Sequence, residues 1–319
     1  MTSQPIVLLI NLTVATSIAV SLVGLSRRPL RRVVGAQAAY WLWLMIPGSA
    51  LAAMIPGPSH TLGLSSWPVP QSVSHTLASV VTAFIASDAS VTYEVIGVLV
   101  WALGAAVKLA LTVRRQQTFV RSLRPLWWLP NDTCRSPGIV EPMLVGAWDP
   151  WIVLPADFEA RYTPEERALV LAHERAHVQR GDAQANAIAA SWLCLFWFNP
   201  LMYWAVGRFR FDQELACDAR VLATTGAMRR GYANALLKVQ LSADPVEPLP
   251  IGCHWRSGHP LKERIETLKS PLPGAMRRTF GVAAALVLII SGSYAIWAMQ
   301  PAPHTVEVSG ARAVAHKSC

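Results

Sequence analysis

Five consecutive residues, His173-Glu174-Arg175-Ala176-His177, carry the clearest chemistry in this chain. On an α-helix, side chains four apart lie one above the other on a single face. Two imidazoles so placed can grip one Zn2+ through nitrogens at about 2.0–2.1 Å. Glu174 follows the first histidine directly, positioned to take a proton from the water that such an ion polarises. A catalytic zinc takes three protein ligands and keeps one position open. The third is sought in Glu214-Leu215-Ala216-Cys217-Asp218: Glu214 offers a carboxylate, and Asp218, one turn on, can hold the free ring N–H of a ligating histidine. Such a Glu-x-x-x-Asp pair usually decorates a solvated helix face, so its weight comes from its position in the chain. Asp182, shortly after His177, either orients a ligand or caps a helix.

Those residues need a rigid helix and a way for the chain to return to it. Thr163-Pro164-Glu165-Glu166 predicts the helix start, with Thr163 as N-cap, Pro164 in the first position and Glu166 completing a capping box. The return is predicted from the apolar stretch 183–206. Hydropathy alone would let it cross a membrane. It holds Asn199-Pro200, however, and arginines flank it on both sides (Arg175 and Arg180 before, Arg208 and Arg210 after). Asn-Pro favours a turn, and basic flanks at both ends place both ends on one side. The expectation is a helical hairpin dipping into, or lying against, the membrane; a buried helix pair within the catalytic domain is the alternative. A full crossing would separate Glu214 from His173. Two short strands around a Gly/Asp-Pro turn are expected within 144–154, where an edge strand beside the zinc helix would hold an extended peptide.

The remaining chain reads as membrane. Of 319 residues, 53% are hydrophobic and only 15% charged, against about a quarter charged in soluble domains. Four segments have the roughly 20 apolar residues a span needs: 5–25, 33–55, 94–113 and 280–299. The positive charge of the first cluster follows the apolar stretch instead of preceding it, which reads as an anchor and not a secretory leader. Net charge is +9, but the arginines stand in short clusters beside apolar runs (Arg27, Arg28, Arg31 and Arg32; Arg114 and Arg115; Arg277 and Arg278), which is a topology signal and not a nucleic-acid footprint. The fold class expected is a mainly α membrane protein with four transmembrane helices. A cytoplasmic α+β zincin-like (gluzincin) protease domain, 114–279, is inserted between the third and fourth. Residues 1–113 form the membrane region, and a short tail, 300–319, lies outside with the N-terminus. The five cysteines show no CxxC spacing and imply neither a disulfide framework nor a cysteine zinc site. Tryptophans 127, 128, 148, 151, 192, 197 and 204 are interface anchors or core.

Taken together, Leu171 to Asp182, Phe196-Trp197-Phe198-Asn199-Pro200 and Glu214 to Asp218 resemble the peptidase module of the β-lactam-responsive sensor-transducers, the Bla/Mec regulatory receptors. Ser136-Pro137-Gly138 through Pro155, Tyr232 to Leu237 and Arg264 to Leu268 extend the resemblance over most of the chain. It implies a zinc metalloendopeptidase with His173, His177 and Glu214 as ligands to one Zn2+ and Glu174 as the catalytic group. It also implies regulated proteolysis in the inner (plasma) membrane: self-cleavage, inactivation of a cytoplasmic winged-helix transcriptional repressor, or both. Membrane lipid is a partner, a homodimer is compatible, and nucleic acid is not contacted directly. Those receptors carry a penicillin-binding domain beyond the fourth span; here residues 301–319 hold no Ser-x-x-Lys pattern. Two rivals remain. A non-catalytic signalling protein with a structural zinc would need a fourth ligand, and none stands out. A transporter would need ionisable residues inside its spans, where only Glu94 and Lys108 occur, near span ends.

Overall fold

The computed structural model describes residues 4–57, 90–225, 229–241, 253–254, 261–269 and 273–300. It is mainly helical with one small sheet. The expected outer loop 57–93 and the C-terminal tail lie almost wholly outside the described residues.

Among the described residues, three helices are long and apolar enough to cross a membrane: α1 (Gln4–Val34), α4 (Ser90–Ser122) and α11 (Ala275–Ala298). The first differs from expectation. The helix does not stop at Leu25 but runs through its arginines to Gly35. Arg27 and Arg31, four apart, thereby face the same way, and both reach the buried Asp212. The second expected span is also different. It is assembled from α2 (Ala36–Trp41), a 3-10 turn (Leu42–Leu44) and α3 (Met45–Met54), with Pro47 in the first turn of α3, where a missing N–H is tolerated. This broken element packs between α1 and α11.

The remaining elements build the layer that carries His173 and His177. A five-stranded sheet has the order β1-β2-β4-β3-β5, from β1 (Trp127–Leu129), β2 (Thr133–Ser136), β3 (Met143–Val145), β4 (Trp151–Pro155) and β5 (Cys253–His254). The expected β3–β4 pair is antiparallel, while β2 and β4 run parallel. Alternation splits the two faces. Leu144, Ile152 and Leu154 join the core under the zinc-motif helix, and Met143, Val145 and Val153 pack with Leu123 and Cys134 on the other side. Strand β3 is not the free edge proposed for peptide binding, because β5 pairs with it at Met143 and Leu144. After the short α5 (Phe158–Arg161) come α6 (Pro164–Arg180), α7 (Asp182–Leu195), α8 (Pro200–Thr225), α9 (Arg229–Leu241) and α10 (Leu261–Lys269).

Helices α7 and α8 form a hairpin that turns at Phe196–Asn199. The Asn199 side chain accepts from Leu201 N at 3.0 Å and donates to Ser17 Oγ at 2.9 Å. Ser17 lies in the middle of α1, so the tip reaches about half the depth of that helix. Helix α4 gives the same depth. Trp101 Nε1 donates to Leu195 O at 2.8 Å, and the Trp197 ring lies where a side chain at Gly104 would stand. Lys108, well inside the extended α4, sits 5.1 Å over the Tyr203 ring. Among the expected interface tryptophans, Trp127, Trp128, Trp148 and Trp204 are exposed and not core.

Asp212 joins the membrane helices to the layer that carries the histidines: it accepts from Arg27 Nη1 at 2.9 Å and from Trp43 Nε1 at 2.9 Å, while Arg31 also pairs with Glu263 of α10. Breaking a buried pair by removing one partner costs about 3–5 kcal/mol, because the other charge is left uncompensated. Asp212→Ala should lower thermal stability of the detergent-solubilised protein by that order. Asp212→Asn, which keeps an acceptor for Trp43, should lower it less; equal stability of all three proteins would contradict this linkage.

Candidate metal centre

Helix α6 begins as expected: Thr163 Oγ1 accepts from Glu166 N, and the Glu166 carboxylate accepts from Thr163 N. It ends at Gly181, whose φ of 70° lies in the left-handed region where a side chain would be strained. That sharp turn starts α7 at Asp182 and brings its carboxylate beneath His177. His173, Glu174 and His177 are all buried on α6, which packs against α8, α9, β3 and β4.

The two histidines have their tautomers dictated by their neighbours. Asp182 Oδ2 lies 2.7 Å from His177 Nδ1, and a carboxylate only accepts, so Nδ1 carries the proton. Of the two roles weighed for Asp182, the geometry has it holding the His177 ring. Asp182 is itself held by Arg180 Nε at 3.1 Å and by the Tyr40 hydroxyl at 3.1 Å. On the other ring, His173 Nδ1 is 2.7 Å from the Tyr232 oxygen, and the Tyr232 hydroxyl donates to Asp218 Oδ1 at 2.7 Å. The hydroxyl proton is thus committed to Asp218, and Tyr232 accepts from the ring. Asp218 itself stands 3.5 Å from that nitrogen. It therefore acts through Tyr232 and not directly on the histidine as expected.

With both Nδ1 atoms engaged by these partners, the Nε2 atoms are the ones left to hold a metal ion, and they face each other across 3.0 Å. Glu214 Oε2 lies 3.4 Å from His173 Nε2, and Glu214 Oε1 lies 3.4 Å from His177 Nε2. Ligands at about 2.0–2.2 Å in tetrahedral array stand roughly 3.3 Å apart, so this triangle fits a single Zn2+. The electrostatics agree. Burial opposes a charge on His173, yet Cys217 and Glu214 beside it push its pKa up to about 9, the sign of a pocket that recruits positive charge. Burial would raise the Glu214 carboxyl, but Arg264 and the imidazoles hold it well below the usual carboxylate range.

Sequence reasoning assigned no role to three of the residues here. Arg264 of α10 grips Asp218 with Nε at 2.9 Å and Nη2 at 2.7 Å, and its Nη2 also stands 3.2 Å from Glu214 Oε2. Tyr232 is the relay just described. Cys217 is the third: its Sγ and one nitrogen of each histidine lie within 4.8 Å of one another, making it a candidate ligand and supplying the fourth donor that the sequence did not reveal. Its thiol points at the His173 carbonyl, 3.4 Å away, whereas the Glu214 carboxylate touches both inward ring nitrogens. Glu214 is therefore the better third ligand. The signal that could have found Cys217 is its spacing, three residues after Glu214 on one helix face.

Comparison with known proteins gives concordant results. The profile of the family described as BlaR1 peptidase M56 matches residues 7–268. The regulatory protein BlaR1 of Bacillus licheniformis is 28% identical over 229 residues, 63% of this chain and 38% of that protein. The methicillin resistance mecR1 protein of Staphylococcus aureus is 29% identical over 107 residues, 33% of this chain and 18% of that protein. The chain thus spans well under half the length of these relatives.

Two substitutions separate the ligand sets. Glu214→Gln should lose bound zinc in metal analysis while Cys217→Ser keeps about one ion per chain, as expected of a three-ligand site with one open position; the opposite pattern would make the thiolate the ligand. Tyr232→Phe keeps the ring but removes the relay, and should weaken zinc in chelator competition by roughly 10–100-fold; unchanged affinity would show that the relay does not support the site.

Proposed function

From the premise that the chain belongs to the BlaR1 peptidase M56 family, we propose that it is a multi-pass membrane zinc metalloendopeptidase that signals by regulated proteolysis. The observation that carries this reading is the pair of inward-facing Nε2 atoms 3.0 Å apart with the Glu214 carboxylate 3.4 Å from each. One Zn2+ held by His173, His177 and Glu214 would supply Lewis acidity, polarising the scissile carbonyl and acidifying water. The protein's own groups do the rest. Asp182 and the Tyr232–Asp218 relay keep each Nδ1 protonated and each ring fixed. Glu174, buried beside His173, takes a proton from the attacking water on its carboxylate and passes it to the leaving amine nitrogen as the C–N bond breaks.

The arginine clusters support four crossings, with the broken α2–α3 element as the second. They also support an inner-membrane location with the metal domain cytoplasmic and both termini outside. In this arrangement the substrate is a cytoplasmic protein or the chain itself, and a winged-helix repressor is the downstream target. A closed structural site, with Cys217 as fourth ligand, is the second reading, favoured by the nearness of that thiol to the histidines.

Glu174→Gln decides between them. On the catalytic reading the variant binds about one zinc per chain yet cleaves itself, and a repressor co-expressed with it, about 10²–10⁴-fold more slowly. Cleavage at the unsubstituted rate would refute the role of Glu174, and no cleavage by either protein despite full zinc loading would favour the structural site.

A further inference from the structure

Between the broken second element and the α7–α8 hairpin lies a cavity of about 230 Å3. Apolar cavities of about 150 Å3 already hold a benzene-sized guest. Its walls are apolar but for two groups at one end, Tyr40 and Arg180. Arg180 is 4% exposed, stacks over the Tyr40 ring at 4.6 Å, gives Nε to Asp182 and Nη1 to Gln37 at 3.0 Å. Its Nη2 is buried and has no hydrogen-bond partner among the described residues. An unsatisfied donor of this kind costs roughly 1–3 kcal/mol and calls for an acceptor.

The cavity has a direction. Along α7 its wall runs from Ala185 to Trp192, and along α8 from Phe209 back to Met202; both lead from Arg180 toward the hairpin tip at half the depth of α1. Trp41, Leu44 and Ile188 line it and are 40%, 46% and 53% exposed, so its mouth opens on an apolar rim. We propose that this is a binding site for one membrane glycerophospholipid. Its acyl chain lies along the hairpin, and an ester or head-group oxygen accepts from Arg180 Nη2. The polar end stands at the level of the arginine-bearing end of α1, as a lipid's would, and the apolar end points inward. Arg180 also holds Asp182, which orients His177, so the bound lipid stands two hydrogen bonds from a metal ligand.

The proposal rests on the reading that the hairpin lies in the bilayer, and one experiment tests the two separately. The full chain in phosphatidylglycerol nanodiscs is irradiated with a phosphatidylglycerol probe carrying a diazirine midway along one acyl chain, and adducts are mapped by mass spectrometry. Adducts are expected on 41–46 and 185–192. They should fall roughly tenfold on competition with unlabelled phosphatidylglycerol and in Ala189→Trp, which fills the cavity, while adducts on the outer face of α4 (Leu99, Leu103) persist. Arg180→Met should weaken competition by phosphatidylglycerol but not by a hydrocarbon guest such as hexadecane. Labelling of α4 and of the tip residues Phe198 and Leu201 without competable adducts in the cavity would overturn the lipid site and leave the membrane hairpin standing. Labelling of α4 alone would overturn both. Competition needs no variant, so the result does not depend on Ala189→Trp folding.

Discussion

Two ring nitrogens 3.0 Å apart in a buried pocket stay together only with a cation, a proton or a metal ion, between them. The rest of the layer around the histidines follows from holding that arrangement. The rings cannot turn away, because each outer nitrogen donates to a fixed acceptor, Asp182 for one and Tyr232 for the other. Those acceptors are in turn fixed by charge: Arg180 on Asp182, and Arg264, through Asp218, on Tyr232. The same Arg264 reaches Glu214, so one guanidinium steadies both the carboxylate that faces the two Nε2 atoms and the base of the relay.

The membrane part is tied into this network, not merely attached to it. Tyr40 and Gln37, from the broken second element, reach Asp182 and Arg180, and Trp43 reaches Asp212, two residues before Glu214. A helix that continued unbroken through Gly35 would carry these side chains along the axis of α1. The break turns them across the face of α8, which explains why the second element is short helices and a 3-10 turn instead of one rod.

What could be read from the sequence is what depends on near neighbours in the chain. The His173–His177 face, the Thr163 cap, the Asn199-Pro200 turn and the β3–β4 pair are each decided within a few residues, and each is found in the structure. The misses are the features decided at long range. Helix α1 passes through its arginines because a carboxylate 185 positions away neutralises Arg27. The β3 edge is covered by a two-residue strand more than a hundred positions later, with no pattern of its own. Tyr232 and Arg264 lay in segments whose resemblance was visible, but only the folded chain shows that one interposes itself between Asp218 and the ring and the other grips that aspartate.

The hairpin shows how topology and chemistry constrain one another. From Asp182, α7 runs 14 residues to its end at Leu195, and α8 needs a similar number from Pro200 to reach Glu214. At 1.5 Å per residue each arm is about 21 Å long. That is short of the roughly 30 Å hydrocarbon core, so the hairpin can enter a bilayer but not cross it. Equal arms also return the chain to the level it left, which is why Glu214 comes back beside His177 and not a turn above or below it. Lengthening one arm by a single residue would rotate Glu214 by about 100° around α8 and point its carboxylate away from both rings. The arm lengths, the half-depth contacts with Ser17 and Trp101, and the 3.4 Å approach of Glu214 to the histidines are therefore one constraint seen at three places.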